Sequence, residues 1–387
     1  MKKYTALMLV LCSGICLVQS CGSDSEYITT PQELVSDGQL VSLQIDSQTS
    51  NVSGGLVAFQ DENGSWLFNV NQVNNEIQLY NLDSRTLEKR MIFDLEGPEG
   101  VEYISGIHVH SMDSIFLFGY PMRNLNLTDT SAKIKANYKY EPPLGYTAAF
   151  VHNAHYNYSP ILRGNKLLVN AKFESNIREV TDDTLASKKL SYTIDLKSSE
   201  VGLLPITWPK GYNESGPKLL DFSMASDGVN LVYSLVADHT LYVTDLDGNS
   251  IKTADAKSQF VDQSFPSFNE GTNQFNTMKY VLASDRYERL LYDEYRGVFY
   301  RFVFPKVEVE NEEEINELRR FPRKFAVMIL DKDLNMLGET LMPENTYYPG
   351  NSFVGKDGLY ISISHPDNPK NEEDLMSFEV FKLRELE

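Results

Sequence analysis

Cysteine is almost absent from this chain, and its few positions are confined to one end. Cys12, Cys16 and Cys21 are the only three, so everything after residue 21 lacks a thiol for a disulfide, a zinc knuckle or a cysteine nucleophile. Basic residues are also scarce, with 35 Lys and Arg against 54 Asp and Glu and a net charge of −19. Such a chain repels phosphate backbones, which need clustered cations, and nucleic acid is not an expected partner. Helical periodicity is nearly missing. There is no Gly-x-Ser-x-Gly elbow, no Gly-x-x-x-x-Gly-Lys loop and no His-Glu-x-x-His helix, which excludes the common hydrolase and nucleotide-binding designs built on them.

What is present begins with a basic start (Lys2, Lys3), an apolar run from Ala6 to Val18 and a polar stretch ending at Ser20. Residues 1–20 therefore read as a secretory signal, too short and wrongly flanked for a membrane-spanning helix. The run closes on Leu17-Val18-Gln19-Ser20-Cys21, which resembles the lipobox of bacterial lipoproteins, although Gln19 departs from its commonest form. Cys21 is the expected lipid attachment site and the expected membrane partner is the bilayer itself, because several acyl chains anchor stably at about 0.8 kcal/mol per buried methylene. Residues 21–32, with Gly22-Ser23-Asp24-Ser25-Glu26 at their start, read as a flexible tether. An acidic Ser/Asp stretch after an acylated Cys also resembles the surface-export signal of Bacteroidetes lipoproteins. The expected location is the cell envelope, lipid-anchored to the outer membrane on its periplasmic or its external side.

From residue 33 to 387 the chain reads as one all-β domain. Short apolar runs are bounded by Gly, Asp and Asn, the pattern of strands joined by tight turns. Six times a polar turn precedes a strongly apolar strand: Asp61-Glu62-Asn63-Gly64, Ser111-Met112-Asp113, Arg163-Gly164-Asn165, Ser226-Asp227-Gly228, Glu294-Tyr295-Arg296-Gly297 and Lys356-Asp357-Gly358. A second Asx-rich turn follows in most units, at Asn81-Leu82-Asp83, Asp195-Leu196-Lys197, Asp245 to Asn249 and Asp331-Lys332-Asp333. Asp245 to Asn249 resembles part of a calcium loop, but its recurrence elsewhere favours a hairpin. The units recur at intervals of about 59 residues, which predicts a β-propeller of six blades, each of four antiparallel strands. Closure is expected to pair Leu40 to Ile45 with Ser377 to Leu383. One helical excursion is legible, with Asn311 capping Glu312-Glu313-Glu314 and Arg319-Arg320 closing the run before Pro322; a solvated insertion on the fifth blade is the simplest reading.

The run from Tyr292 to Phe302, with Glu96 to Val101 upstream and the lipobox, resembles a family of Bacteroidetes lipoproteins known as domain of unknown function 4221. The resemblance implies a TolB-like, six-bladed propeller and brings no activity with it.

Chemistry is sparse. His108 and His110 share one face of a strand, and His152 and His155 precede the next unit; if both pairs reach one rim, four imidazoles could hold a divalent metal. That is the basis of an alternative reading as a metal-dependent hydrolase or lyase. The favoured expectation is a non-enzymatic binding or interaction module. Propellers bind at the funnel where first strands begin, and those positions carry Tyr103, Tyr156, Tyr158, Arg286, Tyr287, Tyr347 and Tyr348. Aromatic rings with a few polar groups suit a glycan, a peptide or an envelope protein as ligand, and no cofactor is expected outside the metal alternative.

Overall fold

The computed structural model describes residues 30–120, 124–156, 158–268 and 273–386. The expected signal sequence, Cys21 and most of the expected tether lie outside these residues. Strand β1 (Gln32–Gln44) comes first in the chain and last in space. Blade 1 is β2 (Leu56–Asp61), β3 (Gly64–Asn71), β4 (Glu76–Asn81) and β5 (Thr86–Ile92). Blade 2 is β6 (Tyr103–Ser111), β7 (Ser114–Tyr120), β8 (Asn124–Thr128) and β9 (Ala136–Lys139). Blade 3 is β10 (Ile161–Arg163), β11 (Lys166–Asn170), β12 (Ser191–Asp195) and β13 (Val201–Leu203), with the short helix α1 (Asp182–Ser187) between β11 and β12. Blade 4 is β14 (Phe222–Ser226), β15 (Asn230–Leu235), β16 (Thr240–Asp245) and β17 (Lys252–Asp255). Helix α2 (Gln274–Ala283) leads into blade 5, which is β18 (Arg286–Asp293), β19 (Val298–Phe304), β20 (Ala326–Leu330) and β21 (Met336–Leu341), with helix α3 (Glu312–Arg320) inserted after β19. Blade 6 is β22 (Tyr348–Gly355), β23 (Gly358–Ser362), β24 (Leu375–Glu385) and, as its outer strand, β1. The chain is thus a six-bladed propeller of four-stranded antiparallel blades.

The expected first turns fall between first and second strands in all six blades, and the second Asx turns, as at Asp245 and Asp331, between third and fourth strands; their chemistry explains why. Asp227 Oδ1 accepts from the backbone N–H of Val229 and Asn230, Asp245 Oδ1 from Asp247 and Asn249, and Asp331 Oδ1 from Asp333 and Asn335. Each carboxylate satisfies donors that the tight turn cannot pair within the ladder. Asp245 to Asn249 is accordingly a hairpin turn. Gly358 adopts φ 158°, and a Cβ there would lie 2.2 Å from the Phe381 carbonyl, so the neighbouring strand leaves room only for glycine.

The ring closes through β1 and β24: Leu40 to Ser42 pair with Glu379 to Ser377 as expected from the sequence, while Leu34 lies opposite Leu383 and Leu43 opposite Met376, outside the expected bounds. Between blades the inward-facing apolar residues interlock; Phe299, Phe302, Leu290 and Leu359 are fully buried, each contributing about 1.5–3 kcal/mol by leaving water. Helix α3 is capped as expected, Asn311 Oδ1 accepting from Glu314 N at 3.0 Å while Asn311 Nδ2 donates to Glu314 Oε1 at 2.9 Å. It is not simply solvated: Ile315 and Leu318 are buried in a small cluster with Val309 and Ala283 of α2. Helix α2 has no acidic residue in its first turn and no basic residue in its last, so its one sequence mark is the N-cap Asn273, whose Oδ1 accepts from Asn276 N at 2.8 Å. No helix among the described residues is long and apolar enough to cross a membrane.

Candidate functional site

Strands β2, β6, β10, β14, β18 and β22 are the innermost of their sheets and line the central channel. Each runs from a face made of inter-blade loops, the loop face, to a face made of the first hairpin turns, the turn face. Three of them are bulged: between Ile104 and Gly106, between Tyr287 and Leu290, and between Tyr348 and Ser352. A bulge frees residues from the ladder and re-aims them, and here Ser105, Glu288, Arg289 and Pro349 to Asn351 are the freed residues.

Blade 3 has an inner strand of only three residues, and the chain ahead of it, Val151 to Ala154, closes the channel. Asn153 Oδ1 accepts from Ile107 N at 2.9 Å and its Nδ2 donates to Ile107 O at 3.0 Å, the exchange a neighbouring strand would make. Glycines permit the approach: a Cβ on Gly106 would sit 2.3 Å from the Val151 carbonyl oxygen, and one on Gly55 2.8 Å from Asn153 Cβ. Arg289, 2% exposed, fastens the plug. Its Nη1 donates to the carbonyls of Asn153 and Gly350, both at 2.9 Å, and its Nη2 to that of Ser352 at 3.0 Å. Burial pulls its pKa down to about 10, with Glu288 and Tyr348 opposing, so it remains cationic at neutral pH.

Above the plug on the turn face lies a cavity of about 540 Å³, within the range of small-ligand sites. Asn153, Arg289 and Ser352 contribute to its floor, Trp66, Tyr292 and Tyr295 to its walls, and Asp227, Glu294 and Asp357 to its rim. Asp83 and Lys356 also line it and pair at 2.5 Å; this bond holds the Asp83 carboxyl below the usual range. Trp66 is fixed by its Nε1 donating to Asp61 Oδ1 at 2.9 Å, and Tyr295 is 43% exposed.

The histidines form two pairs. His108 and His110 have ring centroids 6.4 Å apart; His108 Nε2 is buried without a partner among the described residues, and burial, helped by His110, lowers its pKa to about 4. His152 and His155 are 4.8 Å apart at the loop face. Burial lowers His152 to about 4, with His155, Arg289 and Lys172 adding to the effect. His155 is open to water yet hemmed in by protein, as on the wall of a narrow mouth; its poor solvation lowers its pKa while Glu288 opposes. Among the described residues no three His, Cys, Asp or Glu side chains gather into a group that could hold a metal ion.

Of the aromatic set, Tyr156 and Tyr348 lie with Arg286 and His155 within electrostatic reach of Glu288, and Arg286 Nε donates to Glu288 Oε1 at 2.7 Å. The others are dispersed. Tyr158 packs edge-on against Phe222, and Tyr347 donates to Glu379 at 2.9 Å. Tyr287, one residue after Arg286, faces the opposite side of its sheet and shares its hydroxyl with His239 Nδ1 at 2.9 Å and Ser258 N at 3.1 Å. Tyr103 is exposed at the start of β6 opposite Tyr120. Sequence reasoning missed Asn153, Arg289, Trp66 and Tyr295; the charged pair Glu288-Arg289 directly before the apolar Leu290-Leu291 was the available signal.

The run that carried the family resemblance is structural. Asp293 accepts from Tyr295 N, Arg296 N, Arg296 Nη1 and Tyr300 Oη, and Arg296 continues to the carbonyls of Gly355 and Lys356 in blade 6. Arg301 is wholly buried and donates to Ser234 Oγ and to the carbonyls of Asp238, His239 and Ala256 in blade 4. Blades 4, 5 and 6 are stitched together by this hairpin.

The profile of the family described as Domain of unknown function (DUF4221) matches residues 31–341. The chain belongs to this family. A DUF4221 member from Bacteroides vulgatus ATCC 8482 superposes with a TM-score of 0.84 at 23% identity, covering 92% of this chain and 100% of that one. A candidate exported protein from Bacteroides fragilis NCTC 9343 superposes with a TM-score of 0.52 at 14% identity, covering 92% and 96%. Likeness at these identities carries the fold alone. No curated protein matches the sequence.

Proposed function

We propose that this DUF4221 protein is a non-enzymatic binding module of the cell envelope, anchored by lipid on Cys21, that takes a glycan, a peptide or a segment of an envelope protein in the turn-face cavity. The observation that carries the reading is the cavity itself: about 540 Å³, blind at the Asn153–Arg289 plug, with aromatic walls and a charged rim. Aromatic faces supply apolar contact while ring edges and polar neighbours orient a ligand. The loop face is the weaker candidate, because Tyr158, Tyr287 and Tyr347 there are buried in the core. Anchoring is supported by the lipobox at Cys21.

The test is a glycan and peptide array probed with purified protein and with Trp66→Ala and Tyr295→Ala. Both substitutions should weaken any specific ligand by about tenfold or more, as loss of an aromatic contact worth about 1.5 kcal/mol implies, without lowering the melting temperature by more than a few degrees. Ligands bound equally by wild type and both variants would overturn the site. In cells, Cys21→Ala should move the protein out of the membrane fraction; wild type found free of membranes would overturn the anchor.

A further inference from the structure

The run from Tyr292 to Phe302 stitches blades together, whereas Glu96 to Val101, the other run that resembles the family, has no such task. It lies in the connection between β5 and β6, on the loop face of blades 1 and 2. Val101 is buried, but Glu96 to Glu99 are exposed. Large apolar side chains stay outside around it: Val73, Ile92, Leu95, Tyr103 and Tyr120 are 40–71% exposed.

These five form one patch because Asn75 gathers the backbone beneath them. Its Oδ1 accepts from Ile104 N at 2.9 Å, and its Nδ2 donates to Phe93 O at 3.2 Å and Glu102 O at 2.9 Å, so the neighbours of Ile92 and Tyr103 meet at one amide, two residues after Val73. Glu102 N donates to Leu95 O at 3.2 Å, and Tyr120 stands opposite Tyr103 on the same side of the sheet. Asn75 and Glu102 take φ of 49° and 61°, left-handed backbone that costs free energy and is held here by those bonds. The same connection buries Phe93 and Val101, yet it leaves Ile92 and Leu95 outward. A contiguous apolar surface with a polar rim is the mark of an interaction site.

Charge selects the occupant. Asp94, Glu96 and Glu99 are exposed beside the patch, the chain has no Lys or Arg from Met91 to Met122, and the adjacent Arg90 is committed to Asp46 and Glu76. A second copy would bring the same acids to the contact. The chain enters the propeller at Gln32 on the turn face, so the end expected to carry lipid leaves from the opposite side, and the acids disfavour an anionic bilayer.

We propose that this surface docks a cationic amphipathic helix of a partner protein, its apolar stripe on Ile92, Leu95, Tyr103 and Tyr120 and its Lys or Arg side chains beside Asp94, Glu96 and Glu99. The surface is separate from the turn-face cavity and does not depend on a ligand there.

Fluorescence anisotropy on the full chain tests this with a labelled amphipathic Leu/Lys peptide of about four helical turns, its Leu/Glu counterpart and a scrambled Leu/Lys peptide. The amphipathic Leu/Lys peptide should bind, less tightly at high salt, and the other two should bind at least about tenfold more weakly. The double variant Ile92→Ser, Leu95→Ser should weaken it about tenfold or more and melt within a few degrees of wild type, because both side chains are already exposed. Val229→Ser, Ile251→Ser, at exposed apolar positions on the turn face, should leave binding unchanged. Equal binding by wild type and the loop-face variant, an equal loss in the turn-face variant, or no binding up to high-micromolar concentration overturns the inference. Binding to phosphatidylcholine vesicles in place of the peptide, or self-association in sedimentation, either one abolished by the loop-face variant, would assign the surface to a bilayer or a second copy and likewise overturn it.

Discussion

Buried Arg289 and Arg301 each donate to several backbone carbonyls, and in doing so they join segments that the sheets leave unpaired. Arg301 stands in a strand whose other residues are all apolar or aromatic, so there a charged residue out of pattern was the legible part, whereas Arg289 shares its strand with Arg286, Glu288 and Asp293 and does not stand out. The partners of both were not legible, because main-chain acceptors leave no trace in side-chain identity. The histidines show the same limit: spacing put His108 with His110 and His152 with His155, but only the fold separates the pairs. Their burial has a measurable consequence. His108 and His152 titrate near 4 in the folded protein against about 6.5 when unfolded. Between those values the unfolded chain takes up protons that the folded chain refuses, so these residues make stability fall as pH drops from 6.5 to 4. The double variant His108→Leu, His152→Leu should show a flatter dependence of melting temperature on pH in that window than wild type. Parallel curves would mean that neither imidazole is held neutral.

At the scale of the element, turns were read well and irregular segments were not. An Asx turn is written in one or two residues, as at Asp227 between β14 and β15 and at Asp331 between β20 and β21, and short polar runs placed all six first hairpins from sequence. Helix α3 was legible through the Asn311 cap and its charge order. Helix α2 and the plug at Val151 to Ala154 were not, since one has an Asn cap without the charge order that marked α3 and the other is an unpaired stretch whose role comes from glycines in other blades. The turn-face cavity was missed for the same reason, because its walls come from blades far apart in the chain. Strand β1 carries the clearest energetic expectation. Leu43 is fully buried opposite Met376, so Leu43→Ala should lower stability by about 2–5 kcal/mol in urea denaturation, whereas Asp37→Ala in the exposed bulge of the same strand should change it by less than about 0.5 kcal/mol. Equal effects would contradict closure through this strand.

For the molecule as a whole, closure and plug divide the channel into two mouths of different character. The loop-face mouth holds the His152–His155 pair and the Arg286–Glu288 ion pair; the turn-face mouth holds the aromatic and acidic cavity. Gln32 pairs with Glu385 at the end of β24 that adjoins the first hairpin of blade 6, so the chain enters the propeller on the turn face, beside the cavity. The central claim is that ligands enter there. Hydrogen exchange of the full chain, with and without a saturating mixture of small molecules extracted from bacterial envelopes, tests it most directly. The account predicts added protection at residues 59–66, 226–229, 292–295 and 354–357; protection confined to residues 151–156 and 286–288, on the loop face, would contradict it.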